Sequence, residues 1–130
     1  MACGDEMATT KKMGINGWYT HRHPCGVVMS RNIIDVLGYM FYPEIDCFMA
    51  DVYQRDLAEG IDRLFFMPDV KIEHCHPIAG YPTDEVREEV QSTENRAKGR
   101  KAFFEWLYNH SKSDIKKLRE AITKDTGEQW

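Results

Sequence analysis

The chain has no excess of positive charge. Its formal net charge is −4 over 130 residues, so no global basic field exists to draw in nucleic acid. A polyphosphate ligand would need a metal or local basic groups to neutralise it. No apolar run approaches the roughly 20 residues that a membrane-spanning helix needs. The first residues lack the basic-then-apolar pattern of a secretory signal, so neither nucleic acid nor membrane is expected as a partner, and the cytoplasm is the expected location. Cysteines at CxxC spacing are missing too. Cys3, Cys25, Cys47 and Cys75 are scattered, and without a secretory context they read as reduced thiols. Internal repeats and low-complexity segments are absent.

What is present suffices for a folded domain. Hydrophobic residues make up 42% of the chain and aromatics 12%, a composition that favours a packed core over disorder. The length suits one domain with a modest core.

The local patterns run as follows. Met1–Gly4 reads as the end of a strand, followed by a long loop punctuated by Gly14, Gly17 and Gly26. The abrupt opening at Cys3-Gly4-Asp5-Glu6 reads as a strand whose earlier residues are missing, as in a fragment of a longer protein. Gly26–Met29 is a short candidate for a buried strand. Ser30 can cap a helix over Arg31–Leu37, with Gly38 as its stop. Tyr39-Met40-Phe41-Tyr42-Pro43 is an aromatic connector expected to pack on the core. A second helix is expected from Phe48 to Glu59, ended by Gly60, with Phe48, Val52 and Leu57 inward and Gln54, Arg55 and Glu59 outward. Residues 64–76 supply a strand or strand pair, bent or bulged at Pro68-Asp69. After Pro82 the character changes. Thr83 caps a charged helix with Asp84 and Glu85 in its first turn. Ala102–Tyr108 carries an apolar stripe. Ser113-Asp114 caps a last helix bearing Ile115, Leu118 and Ile122.

Four groups of residues could carry chemistry. Glu73-His74-Cys75-His76-Pro77 ends an apolar strand pattern, and Val70, Ile72, His74 and His76 share one face if the strand continues. His74 beside carboxylates would suit a divalent metal next to a phosphate, or else it is a hydrogen-bonded histidine at a strand end. Asp5-Glu6 is an acid pair able to hold Mg²⁺ or Mn²⁺, hard cations that prefer oxygen. On a surface turn it would do nothing of the kind. Asp51, with Asp56 after it, stands at a helix start. There it is either a general base or a helix-start acid favoured by the dipole. His21-Arg22-His23-Pro24-Cys25, joined with His74-Cys75-His76, offers enough nitrogen and sulfur ligands for a tetrahedral zinc site, though at no familiar zinc spacing.

The order of these pieces resembles the C-terminal, acceptor-side half of GT-A fold glycosyltransferases, of the kind met in phage genomes. Gly4-Asp5-Glu6, Ser30 to Tyr39 and Pro68 to Pro77 carry the resemblance, which covers about residues 1–85. It implies a partial GT-A-like α/β fold: a small mixed sheet with flanking helices over residues 1–82, then a helical C-terminal extension over 83–130. It also implies a nucleotide-sugar donor such as a UDP-sugar, a hydroxyl acceptor, and Mn²⁺ or Mg²⁺ on the diphosphate. Asp5 and Glu6 would be metal carboxylates, with Glu6 in place of the usual second Asp. His74 would be a metal ligand and Asp51 the acceptor-activating base. Tyr81 stands where the family often has Lys. The nucleotide-binding first half has no counterpart here. The chain would be a piece of a longer enzyme, one completed by a partner chain, or a remnant, and alone a poor catalyst.

Two rival expectations stand beside this one. The first is a zinc-stabilised binding module using His21, His23, Cys25, Cys75 or His76. The second is a structural or assembly protein whose exposed sheet edge is covered by a partner chain or a second copy.

Overall fold

The computed structural model describes residues 2–5, 27–72 and 82–130, with side chains described over 27–65 and 82–130. The elements in order are strand β1 (Ala2–Asp5), helices α1 (Arg31–Leu37) and α2 (Ala50–Gly60), strand β2 (Phe66–Ile72), and helices α3 (Glu85–Val90), α4 (Thr93–Asn109) and α5 (Ser111–Thr126).

The architecture is helical, which corrects the expected α/β fold. Among the described residues the only sheet is the parallel pair of β1 with β2. A pair of strands cannot build a core on its own, so among the described residues the mixed sheet with flanking helices that a GT-A-like half would need is not formed. The Pro68-Asp69 irregularity is present: Cys3 pairs with Met67 but Gly4 pairs with Lys71, so the register slips across that dipeptide. Gly26–Met29 was expected to be a buried strand. Instead Val27 makes an isolated bridge and Val28 is exposed.

The helix ends follow local chemistry where that chemistry is strong. Ser30 caps α1 by accepting the Asn32 amide proton at 3.3 Å, and Gly38 closes it in the left-handed region at φ 84°. Asp84, not Thr83, caps α3, its carboxylate accepting from the Arg87 amide at 2.7 Å. Ser92 caps α4 through the Asn95 amide at 3.3 Å.

Helix α2 starts at Ala50 rather than Phe48, after Met49 at φ 75° with no side-chain cap. Tertiary contact explains the late start. The Phe48 ring lies beneath the Arg96 and Arg100 guanidinium groups, at 5.6 and 5.8 Å. Its backbone meets α4 at Gly99, where an added Cβ would stand 2.6 Å from the Phe48 carbonyl oxygen. Glycine is required there by the close approach of two backbones.

The core is where the helices meet. Tyr53 and Leu57 from α2, Phe103 and Trp106 from α4, and Leu118 from α5 are buried together, joined by Leu37, Ile45 and Ile61. Residues on both sides of Pro82 thus share one cluster. Tyr53 stands edge-on to Trp106 at 4.6 Å between ring centroids, a geometry that aromatic quadrupoles favour. The aromatic connector packs as expected, with Tyr39, Phe41 and Tyr42 partly buried against this cluster.

One buried carboxylate ties the connector to the α4–α5 pair. Asp114, 2% exposed, lies in the first turn of α5. Its Oδ2 accepts from the Tyr39 hydroxyl at 2.6 Å and from Trp106 Nε1 at 2.9 Å. Lys117 stands 3.8 Å from its Oδ1. Two neutral donors, a lysine and the helix dipole together compensate its desolvation. Asp114 had been expected to cap α5. The helix instead begins at Ser111, which places Asp114 inside it and frees its side chain for this tertiary role. The Tyr53 hydroxyl is enclosed by the same core and has no hydrogen-bond partner among the described residues.

No helix among the described residues is long and apolar enough to cross a membrane.

Candidate functional site

Of the residues expected to carry chemistry, Asp51 and its companion Asp56 are the ones whose side chains are described. Asp51 lies in the first turn of α2, and its Oδ1 accepts the Val52 amide proton at 2.8 Å. Helix-start geometry accounts for this contact. Asp56, five residues further on, is held by Arg55, whose Nε and Nη2 donate to its Oδ1 at 2.8 and 2.6 Å.

For Asp5 only the backbone is described, in β1 opposite Ile72. Glu6 and His74 lie outside the described residues, as do His21, His23, Cys25, Cys75 and His76. Among the described residues no group of three or more His, Cys, Asp or Glu side chains is placed to hold a metal ion, so the metal-binding expectation is not met there. Cys47 is exposed and unpaired.

The site that the fold does build is an apolar cavity of about 350 Å³ between α1, α2, α5 and the segment joining α2 to β2. Helix periodicity explains its lining. Ile33 and Val36 face it from α1, Leu57, Ala58 and Ile61 from α2 and the turn after it, and Leu118, Ala121 and Ile122 from α5. These are i, i+3 and i, i+4 neighbours, which put one apolar stripe of each helix on a common space. The volume lies at the lower end of the roughly 300–1,000 Å³ typical of small-molecule pockets. Val28, Val36 and Phe65, at 55%, 37% and 57% exposure, are large apolar side chains open to solvent, and all three line this cavity.

Polar groups punctuate the apolar wall. Gln54 is 8% exposed and lines the cavity. Arg63, on the α2–β2 segment, lines the cavity as well. Its guanidinium donates to the Asp62 carbonyl at 3.1 Å and pairs with the Glu128 carboxylate. The indole of Trp130 lies against Arg63 and Arg119, at 5.5 and 4.8 Å from ring centroid to guanidinium carbon. Arg119 in turn donates twice to the Gly60 carbonyl, at 2.9 and 2.6 Å, closing the end of α2. Gly127, at φ 74°, turns the chain after α5, and Thr123 Oγ1 donates to the Glu128 carbonyl at 2.7 Å. The last residues are thereby folded back onto Arg63 beside the cavity.

Titration at the core next to this site is shifted by burial. Desolvation, reinforced by the Asp114 carboxylate, pushes the Tyr39 hydroxyl well above the ordinary tyrosine range. Desolvation likewise raises Tyr53, with Tyr39 and Asp114 adding to it. Both therefore stay neutral at physiological pH.

Sequence reasoning missed this site. Gln54 was expected to face outward and is buried, and Arg63 drew no notice. The apolar spacing in α1, α2 and α5 is visible in the sequence, but it does not tell a stripe that closes on its neighbours from one that leaves a cavity.

No protein-family model, curated protein or solved structure matches the chain. With the helical fold, this removes the basis for the glycosyltransferase resemblance and for the GT-A, nucleotide-sugar and manganese expectations attached to it.

Proposed function

We propose that this domain is a binding module for a small apolar ligand, housed in the cavity between α1, α2 and α5. The observation that carries the reading is the cavity itself, about 350 Å³ walled mainly by apolar side chains from three helices, with Gln54 and Arg63 among its few polar groups. A core closed only for stability has no use for that arrangement, because unfilled space forfeits packing and costs stability. An apolar ligand with one hydrogen-bonding group would relieve that cost and cover Val28, Val36 and Phe65.

Filling the cavity tests the reading. Ala121→Phe places a ring in the space without removing any polar contact. Binding of decanol, measured by calorimetry, should be present in the wild-type chain and absent in Ala121→Phe, with circular dichroism confirming that the variant folds. Binding that survives the filled cavity, or no binding by the wild-type chain, would refute it.

A further inference from the structure

We infer that the ligand of this cavity is an apolar monocarboxylate, and that the chain's own C-terminal segment holds the carboxylate position when the ligand is absent. The inference rests on the binding-module reading and adds the ligand's charge and its competitor. Arg63 combines two properties. It lines the apolar cavity, and it already binds a carboxylate, that of Glu128.

The Glu128 carboxylate arrives from outside the helical core, on the few residues after the Gly127 turn. A carboxylate on an apolar chain would meet the same guanidinium from the cavity side and bring its own hydrophobic burial with it. The Glu128 carboxylate brings none to the cavity, since Glu128 does not line it. Gln54 supplies a further polar group in the wall, where its amide N–H can donate to the ligand's second oxygen. Arginine suits the role because its planar fork matches a carboxylate.

The other charges around the cavity set the number of carboxylates. Asp125 also lines it, and Asp56 holds the Arg55 guanidinium. A second carboxylate on the ligand would meet no further free cation among the described residues of the wall and would be repelled by Asp125, which is exposed at the cavity rim. One anionic end is accommodated and two are not.

The inference also gives the last residues a function. Glu128 and Trp130 both rest on Arg63, so a ligand that takes Arg63 must release the Glu128 carboxylate and disturb the indole. Removing the Glu128 charge should therefore strengthen ligand binding, whereas a tail serving stability alone would leave it unchanged.

The test is a calorimetric titration of the full chain with decanoate, decanol and decanedioate below their micellar or solubility limits. Decanoate should bind the wild-type chain more tightly than decanol, and decanedioate more weakly than decanoate. Arg63→Gln should weaken decanoate by about tenfold, the scale of one charge-assisted hydrogen bond, and leave decanol unchanged. Glu128→Gln should tighten decanoate and leave decanol unchanged. Equal binding of decanoate and decanol, or an Arg63→Gln variant that loses neither, would overturn the carboxylate inference and leave the binding module standing. Binding of none of the three would overturn both.

Discussion

Replacing Asp114 with alanine should remove the strongest polar tie in the fold. Its Oδ2 receives the Tyr39 hydroxyl at 2.6 Å and Trp106 Nε1 at 2.9 Å. Trp106 is 0% exposed, so its N–H would be left in the core with no acceptor, at a cost of about 1–3 kcal/mol. Tyr39 is only half-buried and can turn its hydroxyl to water, so its loss is smaller. Against these stands the relief of no longer burying a carboxylate that is 2% exposed, a sizeable offset in such sites. The net expectation is a destabilisation of about 2 kcal/mol, which for a chain of this size lowers the melting temperature by about 7 °C. Urea unfolding followed by tryptophan fluorescence would measure the free energy, and thermal circular dichroism the midpoint. Pairing Asp114→Ala with Trp106→Phe in a double-mutant cycle isolates the Trp106 contact. A loss below about 1 kcal/mol would mean that the carboxylate's desolvation cancels its hydrogen bonds, and the reasoning would fail.

Three further outcomes follow from the packing. Gly99→Ala, which at an open helix site would gain about 1 kcal/mol from propensity, should instead destabilise the chain, because the new Cβ would stand 2.6 Å from the Phe48 carbonyl. Denaturant unfolding reads the sign directly. Tyr53→Phe removes a buried hydroxyl without a hydrogen-bond partner among the described residues and should stabilise by about 1 kcal/mol; a loss of that size would show that the hydroxyl is satisfied. Stability should fall at alkaline pH. The folded Tyr39 and Tyr53 pKa values are raised above the unfolded value of about 10. Above that pH the unfolded chain releases protons that the folded chain keeps, so the stabilisation is complete below about pH 10 and declines as the pH rises further. Unfolding midpoints compared at about pH 9 and about pH 11 would show it, and Tyr53→Phe should shrink the decline.

The sequence held much of the local structure and little of the assembly. Ser30 and Gly38 bound α1 where cap chemistry placed them, because those signals are carried by one or two residues. Pro68-Asp69 disturbs the strand register as expected. The wrong step was to treat the apolar run before His74 as part of a core sheet. A strand pattern reports only that a segment is extended and apolar. It does not count the partner strands, and here β2 has one described partner, β1. The core centre lies on Trp106 and its neighbours, in the segment expected as a helical C-terminal extension.

That misreading had a physical cause as well. Glu85 to Asn95 is mostly charged and poorly amphipathic, and α3 buries nothing, so the sequence leaves open what the following helices pack on. What joins them to α2 is long-range: Asp114 to Tyr39, Gly99 to Phe48, Arg119 to Gly60. None of these pairs is close in sequence, and none has a spacing signature. The cavity was illegible for the same reason, since Gln54, Arg63 and Leu118 are brought together only by the packing of helices.

Methyl-resolved NMR of the full chain titrated with decanol tests the central claim most directly. The account predicts shifts confined to methyl groups that line the cavity, among them those of Ile33, Leu57, Leu118 and Ile122, with Ile45, which does not line it, unmoved. Shifts spread evenly over exposed methyl groups, or no shifts at all, would contradict it.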